Sequence, residues 1–191
     1  LAPKDTGTYI SEGPANGSNV AVKGISNIDD VALLTLQGNG MVGIPGFSKR
    51  LFETLSQEKI NVILITQASS EHSICIGVAE KDASNAKTSI DCAFENEISL
   101  HKIDPLIVEK DLAIIAVVGD NMKNHQGISG KMFSTLGKNN VNIRAIAQGA
   151  SERNISAVIA KKNVKKALNT LHERFFEKRH KQLNLFITGV G

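Results

Sequence analysis

The chain has 191 residues with a formal charge of +3, and 41% of them are apolar, enough to build a globular body of one ordinary domain or two small ones. Basic and acidic residues interleave except near the end, and with no Trp and a single Tyr the sequence lacks the stacking platform of a single-strand nucleic-acid binder, so no nucleic-acid partner is expected. No apolar run approaches a bilayer span and no signal-peptide layout opens the chain, so no membrane partner is expected either, and a cytoplasmic location fits two cysteines in no metal or disulfide spacing.

Residues 1–18, rich in Gly, Pro, Ser and Thr, read as a linker. Asn19 to Ser26 follows as a strand-like segment, then Asp29-Asp30 as a turn. Val31 to Leu36 has the apolar run of a buried strand. After the loop Gly38 to Phe47, which contains Pro45, the helical spacing of Phe47, Leu51 and Leu55 predicts an amphipathic helix. Asn61 to Thr66 and Ser73 to Val78 predict a hairpin about the turn Ala68-Ser69-Ser70-Glu71. Asp82 is placed to cap a helix that buries Ala86, Ile90 and Phe94. Cys75 on the strand and Cys92 on this helix read as buried packing residues.

A second leading strand is predicted over Ser99 to Val108, followed by Leu112 to Val118 and a helix with Ile128, Met132 and Leu136 on one face. Asn163 then caps a helix burying Val164, Leu168, Leu171 and Phe175. These later elements repeat the earlier ones at a shift of about 81 residues. Gly38 meets Gly119, Met41 meets Met122, Gly46 meets Gly127, Phe52 and Leu55 meet Phe133 and Leu136, and Ser70-Glu71 meets Ser151-Glu152. Each half therefore reads β-β-α-β-β-α, a permuted form of βαββαβ. The fold class is α+β, two ferredoxin-like modules with antiparallel sheets and helices on one face.

No catalytic constellation is present. His72, His101, His125, His172 and His180 are scattered, in no metal-binding spacing and beside no Ser or Cys nucleophile motif. The paired lysines at 161-162 and 165-166 and the charged run 177-181 fit the wet face of a helix and the connector after it. What recurs instead is neutral and polar: Asn61 with Asn142, and Gln67 with Gln148. A carboxamide can accept from the ammonium of a free amino acid with its oxygen and donate to the carboxylate with its nitrogen. The loop carrying Met41, Ile44, Gly46 and Phe47 would set backbone N–H groups at a helix N-terminus, where a carboxylate is favoured, with glycine allowing the ligand to approach. Turn geometry alone would explain one such glycine or amide, but not the same set twice.

Gln67-Ala-Ser-Ser-Glu-His-Ser73 and Ala147-Gln-Gly-Ala-Ser-Glu-Arg-Asn154, the latter after Asn140-Val-Asn-Ile-Arg-Ala-Ile146, closely resemble the regulatory tandem ACT region of bifunctional aspartate kinase/homoserine dehydrogenase. The resemblance divides the chain into a linker from a kinase domain (1–18), one ACT module (19–98), a second (99–180) and the start of a dehydrogenase dinucleotide-binding strand (181–191). Lys4-Asp-Thr-Gly-Thr8 and Val22-Lys-Gly-Ile-Ser-Asn-Ile28 resemble the stretch where the family's kinase domain hands over to its ACT modules. Gly189-Val-Gly191 is only the opening of GxGxxG, so this segment is expected to bind no NAD(P) and to carry no catalysis or cofactor of its own; ATP, Mg and NAD(P) belong to the family's flanking domains. The resemblance implies a small amino-acid effector that inhibits both flanking activities, contacts at Gln67 and Gln148 with Asn61, Asn142 and the loop Met41 to Phe47 as neighbours, and self-association as a homodimer or higher oligomer. L-Threonine is the expected effector, since the hairpin strand offers Ile63 and Thr66 rather than carboxylates for a lysine ammonium. A lysine sensor, another amino acid, or a ligand-free oligomerisation module are the alternatives. His125-Gln126 stands where the first half has Ile44-Pro45, so the two sites need not be equivalent.

Overall fold

A computed structural model describes residues 21–67, 72–120, 122, 125–149 and 153–177. The turn at 68–71, the leading linker and the dinucleotide-strand segment, with His180 and the charged run beyond Glu177, lie outside the described residues.

The described elements are β1 (Gly24–Gln37), α1 (Phe47–Gln57), β2 (Val62–Gln67), β3 (Ser73–Ala79), α2 (Ala83–Ala93), α3 (Glu95–Ser99), β4 (Ile107–Val118), α4 (Ile128–Lys138), β5 (Ile143–Gln148), β6 (Asn154–Ala160) and α5 (Val164–Phe176). All six strands form one antiparallel sheet in the order β2-β3-β1-β4-β6-β5. The two sheets expected from the repeat are thus continuous.

Asn19 to Ser26 and Val31 to Leu36 are not separate strands: from Gly24 onward they are one strand, and Asp29-Asp30 is a bulge within it. Asp30 takes a left-handed φ of 57°, as does Asp111 at the equivalent point of β4. Asp tolerates that conformation better than most residues, so the strand kinks where a full turn would have ended it. Partners pin both bulges: Lys161 pairs with Asp30, and the Asp111 N–H donates to Glu80 Oε2 at 3.1 Å. Ser99 to Val108, in turn, is mostly not strand. Acidic Glu95 and Glu97 in its first turn favour α3, a coil follows, and pairing begins only at Ile107.

The long strands serve both halves. Val31 to Gln37 pairs with β3, whereas Gly24 to Ile28 pairs with Ile114 to Val118 of β4. Ile107 to Glu109 likewise lies against Leu33 to Thr35, while Leu112 to Val118 pairs with β6. Each half therefore receives its fourth strand from the leading segment of the other.

Alternation along the strands separates three cores. Ala32, Leu34, Leu36, Ile74, Ile76 and Val78 face α1 and α2, which bury Phe47, Leu51, Leu55, Ala86 and Ile90 against them. Ile115, Val117, Ile155, Ala157 and Ile159 do the same beneath Met132 and Leu136 of α4 and Ala167 and Leu171 of α5. Each of the Val, Leu, Ile, Met and Phe side chains among them, taken fully from water, contributes about 1.5–3 kcal/mol. Val31, Leu33, Leu64, Leu112, Ile114 and Val158 form the third cluster on the opposite face, where the sheet curls until β2 and β5 touch. Asp82 and Asn163 precede α2 and α5 as expected, yet neither side chain makes a capping bond. Each ends a 3-10 turn with helical backbone angles, not the extended geometry that a side-chain cap uses. Cys92 is exposed and Cys75 half-buried, which corrects the reading of both as buried.

Candidate functional site

The first half gathers its recurring residues at one place. Buried Met41 ends a 3-10 turn, the loop continues through Gly43, Ile44 and Pro45, and Gly46 adopts a φ of 103° to turn the chain into α1. Gly46 provides no capping side chain, so the first amides of α1 have neither an intrahelical partner nor a side-chain acceptor from the cap. Opposite them Gln67 closes β2 and Ile74 is the second residue of β3. Between these elements lies a cavity of 350 Å³ lined by Met41, Gly43, Ile44, Pro45, Gly46, Phe47, Ser48, Gln67 and Ile74. That is at the small end of ligand sites, and it combines apolar walls, a helix N-terminus and one carboxamide.

Five residues singled out in the sequence meet here: Met41, Ile44, Gly46, Phe47 and Gln67. Asn61 does not. It stands just before β2 while Gln67 ends it, and six strand residues separate the two by roughly 20 Å, beyond the reach of one free amino acid. Asn142 and Gln148 are placed the same way about β5, so both asparagines belong to the exposed helix-to-strand connections.

Ser48 escaped the sequence reading. It is the second residue of α1, and the repeat places Ser129 second in α4. Ser129 Oγ donates to Gln148 Oε1 at 3.1 Å, so in the second half a serine–glutamine bond spans helix and strand where the first half has Ser48 and Gln67 lining one cavity. The self-alignment already held this signal, since both serines recur with their glutamines. Met122 is buried as Met41 is, and Gly127 takes a φ of 83° as the counterpart of Gly46.

The glycines at the start of each loop have a different task from the one expected. A Cβ on Gly38 would lie 2.5 Å from Ile103 Cα and from the Lys102 carbonyl oxygen; on Gly119 it would lie 1.8 Å from the Ala21 carbonyl oxygen. What presses on these glycines is protein backbone, not ligand. Gly40 N–H donates to Lys102 O at 2.8 Å and Asp104 N–H to Gln37 O at 2.9 Å, while Lys23 N–H donates to Val118 O at 2.7 Å. The segment entering each long strand thus crosses the loop of the other half.

Beside the first cavity, Phe47 stacks on Phe94 with ring centroids 5.7 Å apart, and the Arg50 guanidinium lies 4.1 Å from the Phe94 centroid while pairing with Glu97. The hydrogen bond from Arg50 holds the Glu97 carboxyl below its ordinary range. This links α1 to α3 and stabilises the helix end facing the cavity. A polar groove of 360 Å³ between α4 and α5 shares none of the recurring residues. Among the described residues no group of three or more His, Cys, Asp or Glu side chains is arranged to hold a metal, and no helix is long and apolar enough to cross a membrane.

An ACT domain model matches residues 34–94 and again 115–175. The chain is 43% identical over 189 residues, 99% of its length, to a bifunctional aspartokinase/homoserine dehydrogenase of Haemophilus influenzae, of which it covers 23%. It is 37% identical to the chloroplastic bifunctional aspartokinase/homoserine dehydrogenase 2 of Arabidopsis thaliana, covering 97% of this chain and 20% of that protein. It therefore spans about a fifth to a quarter of the length of these relatives. Among solved structures, the ligand-free regulatory subunit of aspartate kinase from Thermus thermophilus superposes with a TM-score of 0.67 at 26% identity, covering 82% of this chain and 99% of that one. Aspartokinase III of E. coli, in complex with lysine and aspartate, gives 0.63 at 25% identity, covering 82% of this chain and 34% of that one. Two family matches in register with the internal repeat, on a sheet shared with aspartokinase regulatory subunits, show that the chain belongs to the ACT domain family and carries a tandem ACT pair of the kind found in bifunctional aspartokinase/homoserine dehydrogenases.

Proposed function

We propose that this tandem pair is a feedback sensor: the cavity between the N-terminus of α1 and Gln67 holds a free amino acid, L-threonine, and its occupancy restrains aspartokinase and homoserine dehydrogenase activities in flanking domains of the same protein. The observation that carries the reading is the convergence of Gly46, Phe47, Ser48 and Gln67 on one small cavity, with the glycine, serine and glutamine recurring in the second half as Gly127, Ser129 and Gln148. Unspent helix amides receive the α-carboxylate, the amide supplies a directed polar contact, and Met41, Ile44 and Ile74 accept a short side chain.

Lysine, which E. coli aspartokinase III carries in its complex, is the second reading. Against it, no carboxylate lines the cavity among the described residues. On the preferred reading the segment uses no cofactor, while ATP, Mg and NAD(P) serve the flanking domains. Self-association through the sheet margins, where Ile65 and Ile146 are exposed, belongs to the same proposal. Calorimetric titration of the chain with L-threonine and L-lysine in parallel tests it: saturable heat with threonine alone is expected, and Gln67→Ala should cost about 1–3 kcal/mol of that binding. Heat with neither amino acid leaves a ligand-free association module, and heat with lysine alone replaces threonine.

A further inference from the structure

We propose that Ser48 and Ser129 are positioning residues that fix which way Gln67 and Gln148 face, turning each carboxamide into a hydrogen-bond donor toward the ligand. The inference rests on the amino-acid-sensing reading above and specifies which part of the amino acid each glutamine meets.

A carboxamide left to itself presents its oxygen or its nitrogen equally well, because the two ends differ little in size. In the second half the Ser129 hydroxyl donates to Gln148 Oε1 at 3.1 Å; a hydroxyl can also accept, but the partial positive charge at the N-terminus of α4 favours the amide oxygen on its side and leaves the Nε2 hydrogens as the outward group. Both serines are half-buried at the second position of their helices, and both glutamines close the strand opposite. In the first half Ser48 and Gln67 line one cavity. The bond itself is made in the second half, and the first half sets the same two residue types at the same helix and strand positions around its cavity.

The consequence is chemical. An amide that offers N–H donates to an oxygen, so it selects a carboxylate and is indifferent to an ammonium. The helix N-terminus that carries the serine has the same preference, since its free amides and partial positive charge also favour an anion. Serine, glutamine and helix terminus thus converge on the α-carboxylate.

The test compares L-threonine with L-threoninamide, which keeps the ammonium and side chain but has no carboxylate. The wild-type chain, the double variant Ser48→Ala/Ser129→Ala and the hydroxyl-retaining double variant Ser48→Thr/Ser129→Thr are titrated with both. Expected is a three- to tenfold loss of threonine affinity in the alanine variant with a smaller preference over the amide, and recovery of that preference in the threonine variant. An unchanged preference in the alanine variant overturns the proposal. The orienting bond is also read without ligand, from the side-chain amide resonances of Gln148 in a nitrogen-15 spectrum. Ser129→Ala should move these and leave Gln37 in place; unmoved Gln148 resonances overturn the bond itself. A wild-type chain that binds neither compound instead overturns the sensing reading, and the two failures are told apart.

Discussion

Replacing Gly119 with alanine tests the crossing of the entry segment over the second loop. The added carbon would sit 1.8 Å from the Ala21 carbonyl oxygen and 2.9 Å from its carbon. Carbon and oxygen approach to about 3.3 Å even in favourable contacts, so residues 21–23 must withdraw by about 1.5 Å. That breaks the 2.7 Å bond from Lys23 N–H to Val118 O, worth about 1 kcal/mol, and shifts buried Val22 in the second core, an overpacking cost of about 1–3 kcal/mol. The sum is about 2–4 kcal/mol, or a fall in melting temperature of roughly 4–16 °C for a chain of this size. Thermal unfolding followed by circular dichroism measures it. Gly130→Ala is the matched control, since a Cβ there meets nothing within 4 Å inside α4 and should raise stability by up to about 1 kcal/mol. A Gly119→Ala protein melting within about 1 °C of wild type would refute the close approach.

Phe94→Ala should destabilise by about 3–5 kcal/mol, since Phe94 is fully buried, stacks on Phe47 and lies under Arg50; chemical denaturation reads the change. The Arg50–Glu97 pair should make stability pH-dependent in one direction. The Glu97 carboxyl titrates lower folded than unfolded, so its contribution is present above the ordinary value near 4.5 and is lost as pH falls through the folded value. Wild type should therefore exceed Glu97→Gln at pH 7 by less than about 1 kcal/mol, given the pair's partial exposure, and the gap should close in acid. Cys92, exposed on α2, should react with a thiol reagent at neutral pH well before Cys75, whose thiol burial pushes up; equal labelling rates in a time course would contradict that placement.

Repetition made most of the fold legible. Val31 to Leu36 and Leu112 to Val118 announced buried strands, and Phe47-Leu51-Leu55 with Ile128-Met132-Leu136 announced the helices that cover them. Periodicity cannot tell a bulge from a turn, however, because Asp29-Asp30 has the composition of both, and the difference lies in pairing with β4 far along the chain. Gln67 and its loop were legible because type and position recurred together. Asn61 recurred just as faithfully but at the other end of its strand, and only three-dimensional distance separates a residue that lines the cavity from one that does not. Ser48 recurs as Ser129 in the same alignment, yet what sets it apart from other recurring polar residues is the bond its counterpart makes to Gln148, which needs β5 beside α4.

The unbroken backbone of β1 and β4 bears on how a signal could travel. Gln37, next to the first loop, and Gly24, held against Val118 of the second half, are the two ends of one strand, joined by continuous backbone. Between them the strand bends at the Asp29-Asp30 bulge, where Lys161 pairs with Asp30, so the two halves are joined across a bend held by an ion pair. Severing them at residue 100 would strip one strand from each and expose two raw sheet edges, so the tandem pair is expected to be indivisible.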